Sequence, residues 1–279
     1  MKITCWGARG SIPVSGKEYV KYGGDTTCVE IRSKNDEVII IDAGTGIRKL
    51  GNRLITSDKR TYHLLFTHAH WDHLMGFPFF KPIYMQGTRL RLFGCPSVQQ
   101  SVQDILSQTM TTPYFPVEFR QLPAEIESRS VCEQGFQIGA VEIMPIRLSH
   151  PNGGIGFRFA EDGKSFVFLT DNELSHRHPG GGEYGDYIRF AANADLLIHD
   201  AEYTADQYKV TKGWGHSRYT DALQLAMRAQ VKQFGLFHHN QERSDEELDH
   251  IVDDCSSIAQ KEQSRLKCFA LSAGMVIDL

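Results

Sequence analysis

The sequence has no apolar run near the roughly 20 residues that a membrane-spanning helix needs, and its first residues, Met1-Lys2-Ile3-Thr4-Cys5-Trp6-Gly7, lack the apolar stretch of a secretory leader. They read instead as a first strand. It has no basic excess either: the formal net charge is −4, so broad electrostatic capture of a long nucleic acid is not expected, although a local basic pocket is compatible with it. There is no C-x-x-C pair. The scattered cysteines, Cys5, Cys28, Cys95, Cys132, Cys255 and Cys268, read mostly as buried reduced thiols of a cytoplasmic protein rather than as a disulfide framework.

What the sequence does contain is a dense cluster of possible ligands. In Phe66-Thr67-His68-Ala69-His70-Trp71-Asp72-His73, three imidazoles and a carboxylate follow an apolar run. At an extended strand end, residues two apart point the same way, so His68 and His70 can grip one ion from one side. The turn that follows aims Asp72 and His73 at a second position. Burying so many titratable groups without a partner would cost several kcal/mol, so this stretch reads as a metal site.

A chain of 279 residues with 41% hydrophobic content can fill the core of one large α/β domain. Ligand candidates run from His68 to His238 and must converge, so a single domain over residues 1–279 is expected. Strand patterns cover Lys2 to Gly7, Cys28 to Ser33, Val38 to Asp42, Thr61 to Thr67 and Arg89 to Phe93. Gly76 to Phe80 reads as a short apolar helix or turn. Val98, Val102, Ile105 and Leu106 lie on one helical face from Ser97, a possible cap, to Met110. Phe136 to Leu148 is a strand pair or one long strand. Gly156 to Phe159 pairs with Phe166 to Leu169 across Asp162-Gly163, a strong hairpin signal. Further strands end at His199-Asp200 and at His238. An amphipathic helix spans Arg218 to Val231, and the capping box at Ser244-Asp245-Glu246-Glu247 starts a last helix that runs to about Glu262. Ligand candidates therefore fall at strand ends, and the expected architecture is an αββα sandwich of two mixed sheets.

The H-x-H-x-D-H stretch resembles the signature of the metallo-β-lactamase superfamily, and that family's other motifs follow in order. Asp42 in Ile41-Asp42-Ala43-Gly44 matches its strand-end aspartate, which supports the metal loop from behind. His150 in Ser149-His150-Pro151, Asp171 in Leu169-Thr170-Asp171 and His238 in Phe237-His238-His239 match its remaining ligands. The resemblance implies a first metal on His68, His70 and His150, a second on Asp72, His73 and His238, and Asp171 bridging them. His and carboxylate donors suit zinc or manganese, with iron compatible. Two divalent ions about 3.5–4 Å apart activate a shared water for hydrolysis, and Asp72 stands where it can serve as general base.

The segment Leu196-Leu197-Ile198-His199-Asp200-Ala201-Glu202, followed by Gly215-His216-Ser217, resembles the phosphodiesterase branch, which holds tRNA 3′-end endonucleases and small cyclic phosphodiesterases. In that branch an acid orients a histidine that protonates the leaving group. Here the resemblance gives His216 as proton donor and Asp200 as its partner, where glutamate is common; a bare helix-capping role for His216 is the alternative. His239 competes with His238, but strand alternation lets only one face the metals. His176 and His178 sit in a Gly-rich loop and read as solvated, and His199 is a weaker candidate. Arg9 either reaches a phosphate or belongs to a structural turn. Tyr114-Phe115-Pro116-Val117 either walls the pocket or packs in the core.

The expected function is hydrolysis of a small, cyclic phosphodiester such as a cyclic nucleotide. The rival reading is tRNA 3′ processing, but full-length members of that family carry a tRNA-clamping arm between the third histidine and the bridging aspartate. Only Pro151 to Thr170 lies there in this chain. No extended nucleic-acid surface and no membrane partner are expected, and the resemblance favours a homodimer. The flavodiiron relatives place a glutamate where His70 stands, and β-lactam hydrolases lack a counterpart to the Asp200/His216 pair.

Overall fold

The computed structural model describes residues 1–96 and 101–279. Within these, two seven-stranded mixed sheets form. The first is built from β1 (Lys2–Gly7), β2 (Cys28–Arg32), β3 (Val38–Ile41), β4 (Thr61–Leu65), β5 (Arg89–Gly94), β6 (Glu125–Ser130) and β14 (Val276–Asp278), in the order β14-β1-β2-β3-β4-β5-β6. The second contains β7 (Phe136–Ile138), β8 (Val141–Leu148), β9 (Gly154–Glu161), β10 (Lys164–Leu169), β11 (Leu196–Asp200), β12 (Gln233–Phe237) and β13 (Lys267–Ala270), in the order β13-β12-β11-β10-β9-β8-β7. In each sheet an antiparallel meander gives way to parallel strands, β3 to β6 in the first and β10 to β13 in the second.

The sheets face each other across an apolar layer to which both contribute. Ile3, Ile31, Ile39 and Phe93 from the first meet Ile143, Phe157, Phe166 and Phe168 from the second. Each fully buried side chain of this size removes enough apolar surface to stabilise the fold by about 1.5–3 kcal/mol. On the outer face of the first sheet lie α1 (Ile47–Leu54) and α3 (Val102–Thr109); on that of the second lie α4 (Tyr184–Ala191), α6 (Tyr219–Arg228) and α7 (Asp245–Lys261). The result is the expected αββα sandwich.

The local signals hold where chemistry is specific. Asp162 and Gly163, at φ 50° and 72°, make the tight turn between β9 and β10. Ser244 caps α7, accepting from the Glu247 amide while Glu247 reaches back to the Ser244 amide. The Gly76–Phe80 stretch is a 3-10 turn over Phe77–Phe79. Ser97 and Val98 lie outside the described residues, and the helix expected there starts at Val102, after Ser101.

The expectation of reduced thiols holds for most of the cysteines and fails for one pair. Cys95 and Cys132 form a disulfide, which separation in sequence gave no means to foresee. The pair forms because β5 and β6 run parallel with Gly94 opposite Ser130, so the residues just beyond their ends meet. Cys5, Cys28, Cys255 and Cys268 remain free thiols. Among the described residues, no helix is long and apolar enough to cross a membrane.

Candidate metal centre

The C-terminal ends of β3, β4, β10, β11 and β12, together with the end of β8, share one rim of the sandwich. There the chain leaves each strand through a histidine or an aspartate, and α2 (Trp71–Leu74) begins immediately after His70. Asp42, Asp171 and His238 all take left-handed backbone conformations, at φ 59°, 55° and 54°. Such conformations are uncommon for residues other than glycine and tend to cluster at functional sites. Here each turns a strand end sharply enough to aim its side chain along the rim.

Among the described residues, three groups of possible ligand atoms result, one of them Glu202, His216 and His238. The other two share Asp171: it joins His68, His70 and His150 in the first, and Asp72, His73 and His238 in the second. The Asp171 carboxylate stands between them, with Oδ2 3.5 Å from His68 Nε2 and Oδ1 3.4 Å from His73 Nε2. His238 Nε2 lies 3.0 Å from Asp72 Oδ2, and His150 Nε2 lies 3.1 Å from His70 Nδ1.

The outer nitrogens fix the tautomers. His150 Nδ1 donates to the Gly215 carbonyl at 2.9 Å, His238 Nδ1 to Glu202 Oε2 at 2.9 Å, and His73 Nδ1 to Asp42 Oδ2 at 2.8 Å. Thr67 Oγ1 donates to Asp42 Oδ2 and so has a lone pair for His68 Nδ1, 3.0 Å away. With Nδ1 so engaged, His68 and His150 turn an Nε2 lone pair toward the centre, while His73 and His238 face carboxylates there through an Nε2 that would give up its proton to a bound cation. The Nε2 atoms of His68 and His73 are buried without a hydrogen bond of normal geometry. Inward lone pairs facing carboxylates repel one another unless a cation sits between them, so the donor set fits two metal ions.

The electrostatics agree. Burial pushes His68 far below its ordinary value, aided by His73, and brings His150 down to about 3. Burial would also lower His73 and His238, but Asp72 and Asp171 outweigh it and hold both well above the usual range. Those carboxylates in turn fall well below theirs, although burial alone would raise them. The second group thus calls for positive charge even in the absence of an ion.

Beside it, His216 stacks on His238 with ring centroids 4.6 Å apart. Its Nδ1 lies 3.3 Å from Asp200 Oδ2 and 3.5 Å from Glu202 Oε2. Burial lowers the imidazole, but Glu202 and Asp200 together raise it to about 9. Asp200 also accepts from the amides of Ser217 and Asn172. The structure therefore brings the Asp200/His216 pair to the metal groups and adds Glu202, which binds both His216 and His238. Alternation beyond β11 was the available signal, since Glu202 lies two residues past Asp200 and can share its side.

The remaining candidates separate cleanly. His239 faces the other way, donating from Nε2 to the Leu271 carbonyl at 2.8 Å. His199 is wholly buried against Asn172 and its own strand. His178 is not solvated: it is buried, 2.8 Å from Glu173, whereas His176 is exposed. Arg9 is wholly buried and spends its guanidinium on the carbonyls of Asn240, Arg243 and Gly23, so it is a structural residue with no path to a substrate phosphate. Tyr114 is 82% exposed, which removes it from the core.

Glycines allow this density. A Cβ on Gly10 would stand 2.3 Å from the His238 ring, and one on Gly215, at φ 98°, 2.0 Å from His150. Beside Gly10, the Ser11 amide donates to Asp72 Oδ2 at 2.9 Å, so the N-terminal loop closes one side of the site.

Fold and donor set define a metal-binding αββα protein. The model of the beta-lactamase superfamily domain matches residues 37–239, and the chain belongs to that family. Among curated relatives, the ribonuclease Z of Picrophilus torridus is 22% identical over 92% of this chain and 91% of its own, and the ribonuclease BN of Proteus mirabilis is 20% identical over 94% and 97%. The metallo-β-lactamase fold protein YhfI of Bacillus subtilis superposes with a TM-score of 0.72 at 17% identity, covering 99% and 98% of the two chains. The short form of human tRNase Z gives 0.66 at 20%, covering 100% and 99%. These relatives overturn the expectation that no extended nucleic-acid surface is involved. Net charge averages over the whole surface, whereas a metal centre supplies its own local attraction for phosphate.

Proposed function

We propose that this protein is a metal-dependent hydrolase of phosphodiesters. The observation that carries the reading is Asp171 shared between two ligand groups, with the His216/Asp200/Glu202 cluster directly beside them. His68, His70 and His150 would hold one divalent ion, Asp72, His73 and His238 the other, and Asp171 both; zinc and manganese suit these donors. When bound, such ions supply Lewis-acid charge and an acidified water. The protein's own contribution is to fix the ring tautomers, to place Asp72 as a proton acceptor, and to hold His216 protonated for the departing alkoxide. A leaving alkoxide needs that proton, and the Glu202 and Asp200 carboxylates beside Nδ1 favour the protonated imidazole.

Two substrate readings follow. Cleavage at an RNA 3′ end takes support from the ribonuclease relatives, which span nearly the whole chain. A small cyclic phosphodiester such as a cyclic nucleotide takes support from the segment between His150 and Asp171, where β9, β10 and their tight turn fill the space. The test is one assay of metal-loaded protein on bis(p-nitrophenyl) phosphate, cyclic mononucleotides and precursor tRNA. Hydrolysis abolished by chelator and restored by zinc or manganese is expected. No turnover of any diester after reconstitution would sink the reading.

A further inference from the structure

Tryptophan is usually among the more buried residues because its ring offers so much apolar surface. Here Trp71 is 65% exposed and Trp214 is 63% exposed. The third tryptophan behaves as usual: Trp6 is half-buried, donates to Glu30 at 3.0 Å and carries the Arg53 guanidinium over its ring. Among the described residues, neither Trp71 nor Trp214 has a ring contact, cation or hydrogen-bond partner for its indole.

Trp71 adjoins two candidate ligands, and Trp214 lies two residues before His216 with the backbone on both sides of it pinned. Trp71 lies between His70 and Asp72, one in each ligand group. Trp214 lies between Gly213 and Gly215, whose amides both donate to the buried Glu173 carboxylate, at 2.7 and 2.8 Å. Glu173 is itself held by the Tyr208 hydroxyl at 2.6 Å and by His178 at 2.8 Å. These contacts also link the two indoles through the site: His70 meets His150, His150 donates to the Gly215 carbonyl, and Trp214 precedes it. A buried four-contact carboxylate therefore fixes a loop whose tip is an unpaired tryptophan in water. Rigid display of an indole at the edge of a phosphodiester site favours a flat, apolar ligand attached to the phosphate.

We infer that Trp71 and Trp214 form a stacking platform for the nucleobases next to the scissile phosphate, so that the substrate is a nucleotide or a single-stranded nucleic acid. This rests on the phosphodiesterase reading. Stacking on an aromatic side chain recognises every base by its π face and adds affinity without sequence preference. It suits a site whose metal-binding residues already provide for the phosphate.

The test compares thymidine 5′-(p-nitrophenyl) phosphate with methyl p-nitrophenyl phosphate, which share a leaving group and differ in the base. The ratio of kcat/KM for the nucleotide ester over the methyl ester should fall about ten-fold in Trp71→Ala and in Trp214→Ala. Trp71→Phe and Trp214→Phe should largely restore it. In parallel, adenosine 5′-monophosphate should quench the tryptophan emission of zinc-loaded protein, and less so in each Phe variant. An unchanged ratio in both Ala variants, or emission that does not move with the nucleotide, overturns the platform. If the wild type cleaves neither ester, the phosphodiesterase reading falls, and the emission titration alone then decides whether the indoles bind a base.

Discussion

Glu202 Oε2 accepts the Nδ1 proton of His238 at 2.9 Å, while the Nε2 of the same ring points 3.0 Å from Asp72. A carboxylate behind a ligand histidine sets its tautomer and raises its basicity, and removal of such a partner typically weakens metal binding by about 10–100-fold. Glu202→Gln is therefore expected to lose affinity at the group of Asp72, His73 and His238 and to spare the group of His68, His70 and His150. Equilibrium dialysis against zinc should show one weakened and one unchanged site. Two unchanged sites would mean that Glu202 serves His216 alone.

Asp171 is the residue common to both ligand groups, so its loss should differ in kind from the loss of any histidine. With Asp171→Ala the inward lone pairs remain, but the shared negative charge between the two positions is gone, and two cations would face each other less compensated. Metal analysis of reconstituted wild type should give about two ions per chain, and the Asp171→Ala protein fewer than His68→Ala or His73→Ala. A variant that keeps the wild-type content would remove Asp171 from the bridging role.

Much of this was legible because metal ligands carry spacing with them. His68, His70, Asp72 and His73 stand in one short stretch; strand alternation lets only one of His238 and His239 face the site, and the family's spacing picks His238. Glu202 and Glu173 were harder, since each works through a contact made across loops rather than through a neighbour in sequence. Glu173 holds Gly213 and Gly215, forty or so positions away. Arg9 misled for a related reason: an arginine in a glycine-rich loop looks like a phosphate ligand until the fold surrounds it with carbonyls. Short elements such as α1 and β6 escaped as well. The pattern over Glu125–Ser130 alternates charge with little apolar content, and it becomes a strand by pairing alongside β5.

Asp200 links the site to acid stability. Burial would raise its carboxyl, but His199, His216 and the Ser217 and Asn172 amides hold it down at about 2, against 3.8 for the free side chain. A depressed carboxyl stabilises the fold above its unfolded value and stops doing so as pH falls through the folded one. Chelated protein should therefore lose about 2 kcal/mol from this group between about pH 4 and pH 2. Urea unfolding across that window should show a shallower pH dependence in Asp200→Asn than in the wild type. Equal slopes would show that the Asp200 carboxylate carries no net linkage.

His216 stacks on the His238 ring and has its Nδ1 turned toward Asp200 and Glu202, a geometry that suits the proposed role of proton donor. Loss of a general acid costs about 10²–10⁴-fold in rate, whereas loss of a ligand also releases metal. His216→Ala should thus retain both ions while turning over slowly on a diester with an alkoxide leaving group. On a p-nitrophenyl ester, whose phenolate leaves with little help, the same variant should be much closer to the wild type. Asp200→Asn should show a weaker form of the pattern, because the imidazole keeps Glu202 as a partner but loses its second anchor. Rates on both ester types, measured beside metal content, distinguish the alternatives: equal losses on the two esters would return His216 to a structural capping role, and loss of metal would make it a ligand.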